Sequence, residues 1–538
     1  MTQTTDGAPP HVTRDAPSPT ARSSRRRWAW HPFAFALWPV LTLYRENIGE
    51  TPPGEALDML GLSLLATAVL FGLLALVVRD VRRAALLTSV FVVAILLWGA
   101  ARDAVDEAAW LLPVWLVAVA LLTFAITRIR SILPELTTMA AAMGALVLAM
   151  SAIPVVVHQV PVWAATRGLG AETADLDDRV GPWSAAGEPR DIYYLIFDRY
   201  GSQTAMEQRW DMDLDPFFAD LAGRGFRVTP DSKANHLRTA QSLSSSLNLQ
   251  YHFDLAERYG PDTGNMLPIV DRLQDHAVGR LLKDRGYEYV HIGAWWDPTQ
   301  SNRNADVNWG YERESDFERI FFRSTLLSHF ERRPTGVTLA EESRRRTYRG
   351  TLSQFDSVRR ASQREGPTFV FAHILLPHEP FIFDIDGNYV TRDEEGARGR
   401  DLSYREQTHY TNQLIGALLD DLLDVPVDER PIVVLQADEG PHPVRFKLDE
   451  ENFDWTRATD AELEEKFAIL NAYLLPGVDD PGLYDSISPV NTWRVLFNAY
   501  FGADLELLED RSYLFRDENH VYDFTEVTDR LGRPITVP

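Results

Sequence analysis

The 538 residues carry 53 Lys and Arg against 77 Asp and Glu, a formal net charge of -24, and not one cysteine. So large an acidic excess excludes nucleic acid as a partner, and the missing thiols exclude disulfide staples and thiol redox chemistry. With 45% hydrophobic residues the chain has enough apolar side chains to bury at least one large core.

Residues 1–27, rich in Thr, Pro, Ser and Arg, read as a disordered cytoplasmic tail. From 28 to 158 the apolar residues gather into five runs: "HPFAFALWPVLTLY", "LDMLGLSLLATAVLFGLLALVV", "AALLTSVFVVAILLWGAA", "AAWLLPVWLVAVALLTFAIT" and "LTTMAAAMGALVLAMSAIPVVV". A spanning helix needs about 20 mostly apolar residues, so the last four qualify, the first is short and broken by proline, and about five spans are expected. Arginines stand before the first run (Arg22, Arg25, Arg26, Arg27), between the second and third (Arg79, Arg82, Arg83) and between the fourth and fifth (Arg128, Arg130), whereas Glu46, Glu50, Asp103, Asp106 and Glu107 mark the alternate loops. Because cytoplasmic loops carry the excess basic residues, this pattern predicts a multi-pass cell-membrane protein with a cytoplasmic N-terminus and everything after about 158 outside the cytoplasm. A cleaved export signal would leave four runs unexplained. The first 160 residues hold 12 basic and 11 acidic side chains, so the net charge belongs to the remainder.

Residues 159–188 read as a linker, and 189–538 as an α/β sandwich domain with a largely parallel sheet. Short runs that are apolar on both faces ("DIYYLIFD", "EYVHIGAWW", "PTFVFAHILLP", "RPIVVLQAD") alternate with helical patterns such as "LDPFFADLAGRG", "VGRLLKDRGY" and "YTNQLIGALLDDLLD". Ligands of such sheets bind beyond the carboxyl ends of the strands. Three strands end in polar chemistry there: at Asp198, at His378 and Glu379, and at Asp438 and Glu439. One strand-terminal Asp is ordinarily a cap or a turn former. Three such ends in one parallel sheet point to a metal site of hard oxygen ligands, with or without one nitrogen.

A fourth element, "NHLRTAQSLSSSLNLQ", sets one Thr and four Ser within eight positions and continues with helical spacing that buries Leu243 and Leu247. It reads as a helix start with Thr239 as N-cap. The same geometry presents a hydroxyl at a helix N-terminus, where a phosphate and an alkoxide are favoured.

The ordered set "DIYYLIFDRYG", "NHLRTAQSLSSSLN", "LLPHEPF", "VVLQADEGP" and "FAILNAYLLPG" resembles the sulfatase-like branch of the alkaline phosphatase superfamily. Within it the nearest likeness is to membrane-embedded relatives of lipoteichoic acid synthase and the phosphoethanolamine transferases. The resemblance implies Asp198 and Asp438 as metal ligands and Thr239, itself touching the metal, as nucleophile. Thr239 is preferred to Ser242 because "TAQS" matches the family's Thr followed three positions later by Ser. It implies that His378 contacts the substrate phosphate or a second metal, and that "GAWWDPTQSNRNAD" holds the transferred head group through Trp296 and Arg303, whose planar fork suits a phosphate.

Three departures qualify this picture. Asp438-Glu439-Gly440 stands where the family has Asp-His-Gly, so an oxygen replaces a nitrogen ligand. One divalent ion is then expected, Mn2+ or Mg2+ rather than Zn2+, with Glu439 as a further ligand. His442, three residues on, is a candidate to restore a nitrogen in the substrate-binding site, and no later histidine cluster offers a second zinc site. The signature Cys or Ser followed by x-Pro-x-Arg, whose first residue becomes formylglycine, is absent around Thr239, which argues against sulfate-ester hydrolysis. The expected activity is phosphotransfer in two steps: Thr239 attacks a phosphodiester of a membrane lipid, and a cell-envelope glycan or water takes the head group from phospho-threonine. A phosphodiesterase or phosphatase with water as sole acceptor, and a non-catalytic envelope-binding member, stay open as alternatives.

Overall fold

The computed structural model describes residues 29–49, 51–105, 108, 110–166, 174–311, 315–330 and 339–535. The arginine-rich tail, Glu50, Asp106, Glu107 and positions 167–173 of the expected linker lie outside the described residues. The chain divides into two compact units.

The first unit is a helical bundle with helices at His31–Glu46, Pro53–Val78, Val81–Leu96, Trp98–Asp103, Leu111–Arg128 and Leu133–Thr166. Three of them are long and apolar enough to cross a membrane: Pro53–Val78, Leu111–Arg128 and the Leu133–Val157 stretch. Their outward faces carry Leu65, Leu73, Leu76, Leu121, Phe124, Met143 and Leu146, all exposed, as suits a lipid solvent. The first and third expected spans are 16-residue helices. The third is the most enclosed, burying Ala84, Ala85, Leu87, Thr88 and Ser89, and Asp80 caps its start by accepting from the backbone N–H groups of Arg82 and Arg83. Small and hydroxylated residues let helices approach closely and bond across the bundle. Thus His31 Nδ1 lies 2.7 Å from Ser89 Oγ, and the Thr42 and Ser151 hydroxyls are 2.8 Å apart.

The second unit holds a seven-stranded sheet. Its strands are β1 (Ile192–Phe197), β2 (Arg227–Val228), β3 (Glu288–Ile292), β4 (Val307–Trp309), β5 (Thr368–Ile374), β6 (Ile432–Gln436) and β7 (Asn471–Leu474), in the order β2-β7-β6-β1-β5-β3-β4. β6, β1, β5, β3 and β4 run parallel, and β7 is antiparallel to both β6 and β2. Two short strands, β8 (Tyr513–Leu514) and β9 (Thr525–Glu526), pair separately. The near-continuous apolar runs are explained by burial on both faces. On one face Tyr193, Leu195, Val370 and Val433 pack with Phe355, Ile415 and Leu418. On the other, Tyr194, Ile196, Phe371 and Val434 pack with Leu243, Leu247, Trp493 and Phe497. The helix Thr239–Leu247 therefore lies on the second face.

Side chains alternate between faces with a period of two. In register, Ile196 of β1 stands beside His373 of β5 and Gln436 of β6. Counting on from Ile196 and Gln436 in steps of two reaches Asp198 and Asp438. Parity thus sends Asp198, His373 and Asp438 towards the face that carries the helix Thr239–Leu247, at the carboxyl edge of three adjacent strands.

Candidate active site and metal centre

Asp198, His373 and Asp438 are all buried, and one ligand atom of each lies within 4.8 Å of those of the others. His373 Nε2 stands 3.6 Å from Asp198 Oδ2. Asp198 Oδ1, both oxygens of Asp438 and His373 Nε2 are enclosed without a well-aligned hydrogen-bond partner. A buried carboxylate normally finds hydrogen bonds or a cation. Two of them facing an imidazole with its lone pair free fit a divalent metal, for which these three side chains are a chemically suitable donor set. Among the described residues, this is the one such group.

The backbone prepares the arrangement. Asp198 N–H is bonded to the Ile374 carbonyl at 3.0 Å, extending the β1–β5 ladder one residue past the strand. The next residue, Arg199, turns in the left-handed region at φ 62°, uncommon for a side chain of this kind and a conformation that the surrounding contacts must hold. The turn sends the Arg199 guanidinium towards Glu379 and Glu439, to which it is ion-paired.

Burial raises both aspartates, and charges around them divide. Asp198 is pushed up to about 7, with Arg199 and Lys466 opposing the burial and Glu439 reinforcing it. Asp438 is raised well above the carboxylate range by burial and then by Asp198 and Glu439, while Thr239 is near enough to lower it through its side chain.

Thr239 is brought to this group by the helix Thr239–Leu247, but not as its cap. Arg238 takes the N-cap position in extended conformation, and Thr239 is the first helical residue. The Thr239 hydroxyl is thereby released towards Asp438. Ser242 is engaged elsewhere, donating to the His236 carbonyl at 3.1 Å.

Glu439 is displaced from the expected ligand set. Its carboxylate lies 2.7 Å from Lys466 Nζ, 3.4 Å from Arg199 Nε and 3.8 Å from His442 Nε2. Past the end of β6 the chain bends at Asp438 and Glu439, and the two carboxylates serve different partners. Gly440 permits the approach of Lys466: a Cβ there would stand 2.4 Å from the Glu465 carbonyl oxygen and 2.9 Å from that of Lys466. Lys466 is fully buried and lowered to about 8 by burial, with Glu439 opposing.

His378 borders the group, its ring edge-on to Trp295 with centroids 5.7 Å apart and its Nδ1 bonded to the Glu379 carbonyl. Burial, then Arg199, holds it well below the usual imidazole range. A carbonyl only accepts, so Nδ1 carries the proton and Nε2 presents a lone pair. Trp296 packs edge-on against His373 at 5.8 Å. Arg303 is not brought in: half-exposed, it is bonded to Asp271 at 2.6 Å, and its second acidic neighbour is Asp275. His442 stacks on Phe446, 4.4 Å between centroids, and meets Glu439 rather than the aspartates.

Arg199, His373 and Lys466 were missed by sequence reading. His373 sits inside the apolar run "FVFAHILLP", where an imidazole is a costly core residue and therefore a signal. Lys466 gave a similar one, in "EEKFAILNAYLL".

The family model for sulfatases matches residues 191–465, more than half of the chain. The chain belongs to the sulfatase family. No curated protein matches it. Among solved structures it is similar to the C-terminal periplasmic domain of EptC from Escherichia coli in complex with zinc, at 12% identity and TM-score 0.41 over 64% of this chain and 99% of that one. It is also similar to the integral membrane lipooligosaccharide phosphoethanolamine transferase A of Neisseria meningitidis, at 13% identity and TM-score 0.35 over 87% and 95%. A third is an alkaline phosphatase superfamily protein of Vibrio parahaemolyticus, at 12% and 0.38 over 66% and 80%.

Two outcomes follow for the purified protein. The raised aspartates bind protons more tightly folded than unfolded, so their contribution to stability is full at acid pH; that of Asp198 is lost as pH rises from about 4, the unfolded value, through about 7, and Asp438 acts in the same direction. A divalent cation competes with those protons, so added Mn2+ or Zn2+ should raise the melting temperature more at pH 8 than at pH 5. Equal shifts at both values, or none, would contradict the site. Separately, Glu439→Gln leaves Lys466 without its charge partner and should cost about 3–5 kcal/mol in chemical denaturation. A ligand role for Glu439 predicts instead weakened metal affinity with near-normal stability.

Proposed function

We propose that this chain is a membrane-anchored, metal-dependent phosphotransferase that moves a phospho-alcohol head group from a membrane lipid to a cell-envelope acceptor through a phospho-threonine at Thr239. The observation that carries this reading is the Thr239 side chain at a helix N-terminus beside Asp438, within a group of buried, unpartnered carboxylates. Asp198, His373, Asp438 and Thr239 would hold the metal. Two carboxylates and a hydroxyl against one imidazole favour Mn2+, with Mg2+ as the other oxygen-preferring ion and Zn2+ as the competitor that imidazole suits. A bound divalent ion would supply Lewis acidity, easing ionisation of the Thr239 hydroxyl and neutralising charge on the phosphoryl oxygens.

Thr239 Oγ attacks the phosphorus of the lipid phosphodiester, the bond from phosphorus to the lipid alcohol breaks, the head-group phosphate stays on Thr239, and the proton of the Thr239 hydroxyl leaves with the departing lipid alcohol. Arg199 and Lys466 are placed to offset the charge of the phosphoryl group, and the helix N-terminus adds its N–H groups. His378, neutral and with Nε2 free to accept, suits the second step, taking the proton of the incoming hydroxyl as that oxygen displaces Thr239. Water in place of a glycan hydroxyl gives the hydrolase alternative by the same path. The non-catalytic alternative was motivated by loss of the family's histidine at position 439, and His373 supplies a nitrogen in its stead.

Five crossings with the catalytic domain outside the cytoplasm remain our reading of the bundle. Val81–Leu96 and Trp98–Asp103 share Leu97 as the cap of both, so together they reach spanning length. The Arg83 guanidinium donates to the Ile129 carbonyl at 3.0 Å, which brings two basic loops to one end of the bundle. A reporter joined after Pro538 should accordingly be active only when competent outside the cytoplasm, and cytosolic activity would reverse the topology.

For the chemistry, Thr239→Ala should lower turnover of lipid phosphodiesters by several orders of magnitude while Asp198, His373 and Asp438 still bind metal, and Thr239→Ser should keep part of the activity. Mass spectrometry after incubation with phosphatidylglycerol or phosphatidylethanolamine should find a phospho-head-group on the peptide containing "TAQSLSSSLN". An adduct on Ser242, or full activity in Thr239→Ala, would overturn the assignment.

A further inference from the structure

A file of buried polar groups runs along one face of the sheet towards His373, and each link has a fixed direction. The Gly279 N–H donates to His276 Nδ1 at 3.0 Å, so the proton of that ring is on Nε2, which lies 3.0 Å from Tyr289 Oη. Tyr289 Oη is then left to donate to His291 Nδ1 at 3.4 Å, and His291 Nε2–H meets the Thr299 carbonyl at 2.9 Å. A carbonyl can only accept, so the direction read from the first link agrees with that required by the last. Burial lowers His276 to about 3 and His291 to about 4, which keeps both neutral as the file demands. The Thr299 carbonyl also receives Ala294 N–H at 3.1 Å, and Gly293 lets the 293–300 turn close, since a Cβ there would stand 1.9 Å from the Gln300 carbonyl oxygen.

The side chain of the residue so held points at the metal group. Thr299 Oγ1 is 2.8 Å from His373 Nδ1, with Thr299 and His373 1% and 0% exposed. His373 Nε2, on the opposite side of the ring, is the unpartnered atom next to Asp198. We propose that Thr299 is a positioning residue for His373: its hydroxyl accepts the Nδ1–H, which fixes the tautomer with a bare Nε2 directed at Asp198 and Asp438, and the His276–Tyr289–His291 file holds Thr299 in place. A histidine that ligates through one nitrogen characteristically donates the other to such an acceptor. The stretch "GAWWDPTQSNRNAD" thus contributes through Thr299, which touches the ligand His373, and not through Arg303. The inference rests on the reading of Asp198, His373 and Asp438 as the metal group.

The test is the affinity of the full-length protein in detergent for Mn2+ and Zn2+, measured by competition with a chelating dye, with folding checked by circular dichroism. Thr299→Val, which removes the hydroxyl at nearly constant volume, should weaken affinity by on the order of 10–100-fold, and Thr299→Ser should restore it. Tyr289→Phe deletes a link of the file without changing the ring, and should weaken affinity in the same direction by a smaller factor, which keeps the proposal testable if Thr299→Val does not fold. Wild-type affinity in Thr299→Val, or in Tyr289→Phe where that is the variant available, overturns the proposal. His373→Ala separates the two levels: if it binds metal as the wild type does, the metal-group reading itself fails, whereas weak binding there beside wild-type binding in Thr299→Val refutes only the role of Thr299.

Discussion

Two carboxylates buried side by side, Asp198 and Asp438, with no hydrogen-bonded protein cation on their free oxygens, are the costly feature around which this domain is organised. Desolvation and mutual repulsion both oppose their ionisation. The neighbouring cations Arg199 and Lys466 relieve Asp198 only in part. Lys466 and Arg199 are both engaged by Glu439, one residue along the chain, and Arg199 also by Glu379. Glu439 therefore acts as a spacer of charge: it keeps two cations at the border of the site while the aspartate pair stays available to an ion of higher charge.

That division also sorts the chemistry by distance from the sheet. The strand ends carry the buried carboxylates Asp198 and Asp438. One step beyond them, Arg199, Arg238, Arg400, Lys447 and Lys466 gather around Glu379, Glu439 and His442. Such a layer, rich in cations and partly compensated, is suited to an anionic substrate, because part of the desolvation of those cations is already offset by carboxylates in the resting protein.

The parts of this site that were legible in the sequence are those whose signal is local. A strand that stops at a carboxylate can be read from one short run, which is why Asp198 and Asp438 were found, and a hydroxyl ahead of an amphipathic helix pointed to Thr239. The role of His373 depends on register: Ile196 stands beside it, and only the pairing of β1 with β5 shows that Asp198 shares its face. Glu439 follows Asp438 directly in sequence, yet its carboxylate meets Lys466 and Arg199, a pairing that no local pattern announces. Arg303 was nominated by resemblance alone, and its guanidinium is committed to Asp271. In the bundle, composition marked five apolar runs, but two of them fold as 16-residue helices.

The reversal of β7 has a consequence for how such a domain diversifies. In a parallel sheet, a strand enters at the edge remote from the ligands, so the segment before it has no access to the site. β7 runs against β6, and its start returns to the carboxyl edge, with Gln436 paired to Asn471. Everything from Ala437 to Leu470, including His442, Lys447 and Lys466, is consequently a single excursion that leaves the reactive edge and comes back to it. A change of length or composition in this connection therefore reaches the surroundings of Asp438 without passing through the β6–β7 ladder, whose pairing lies outside it.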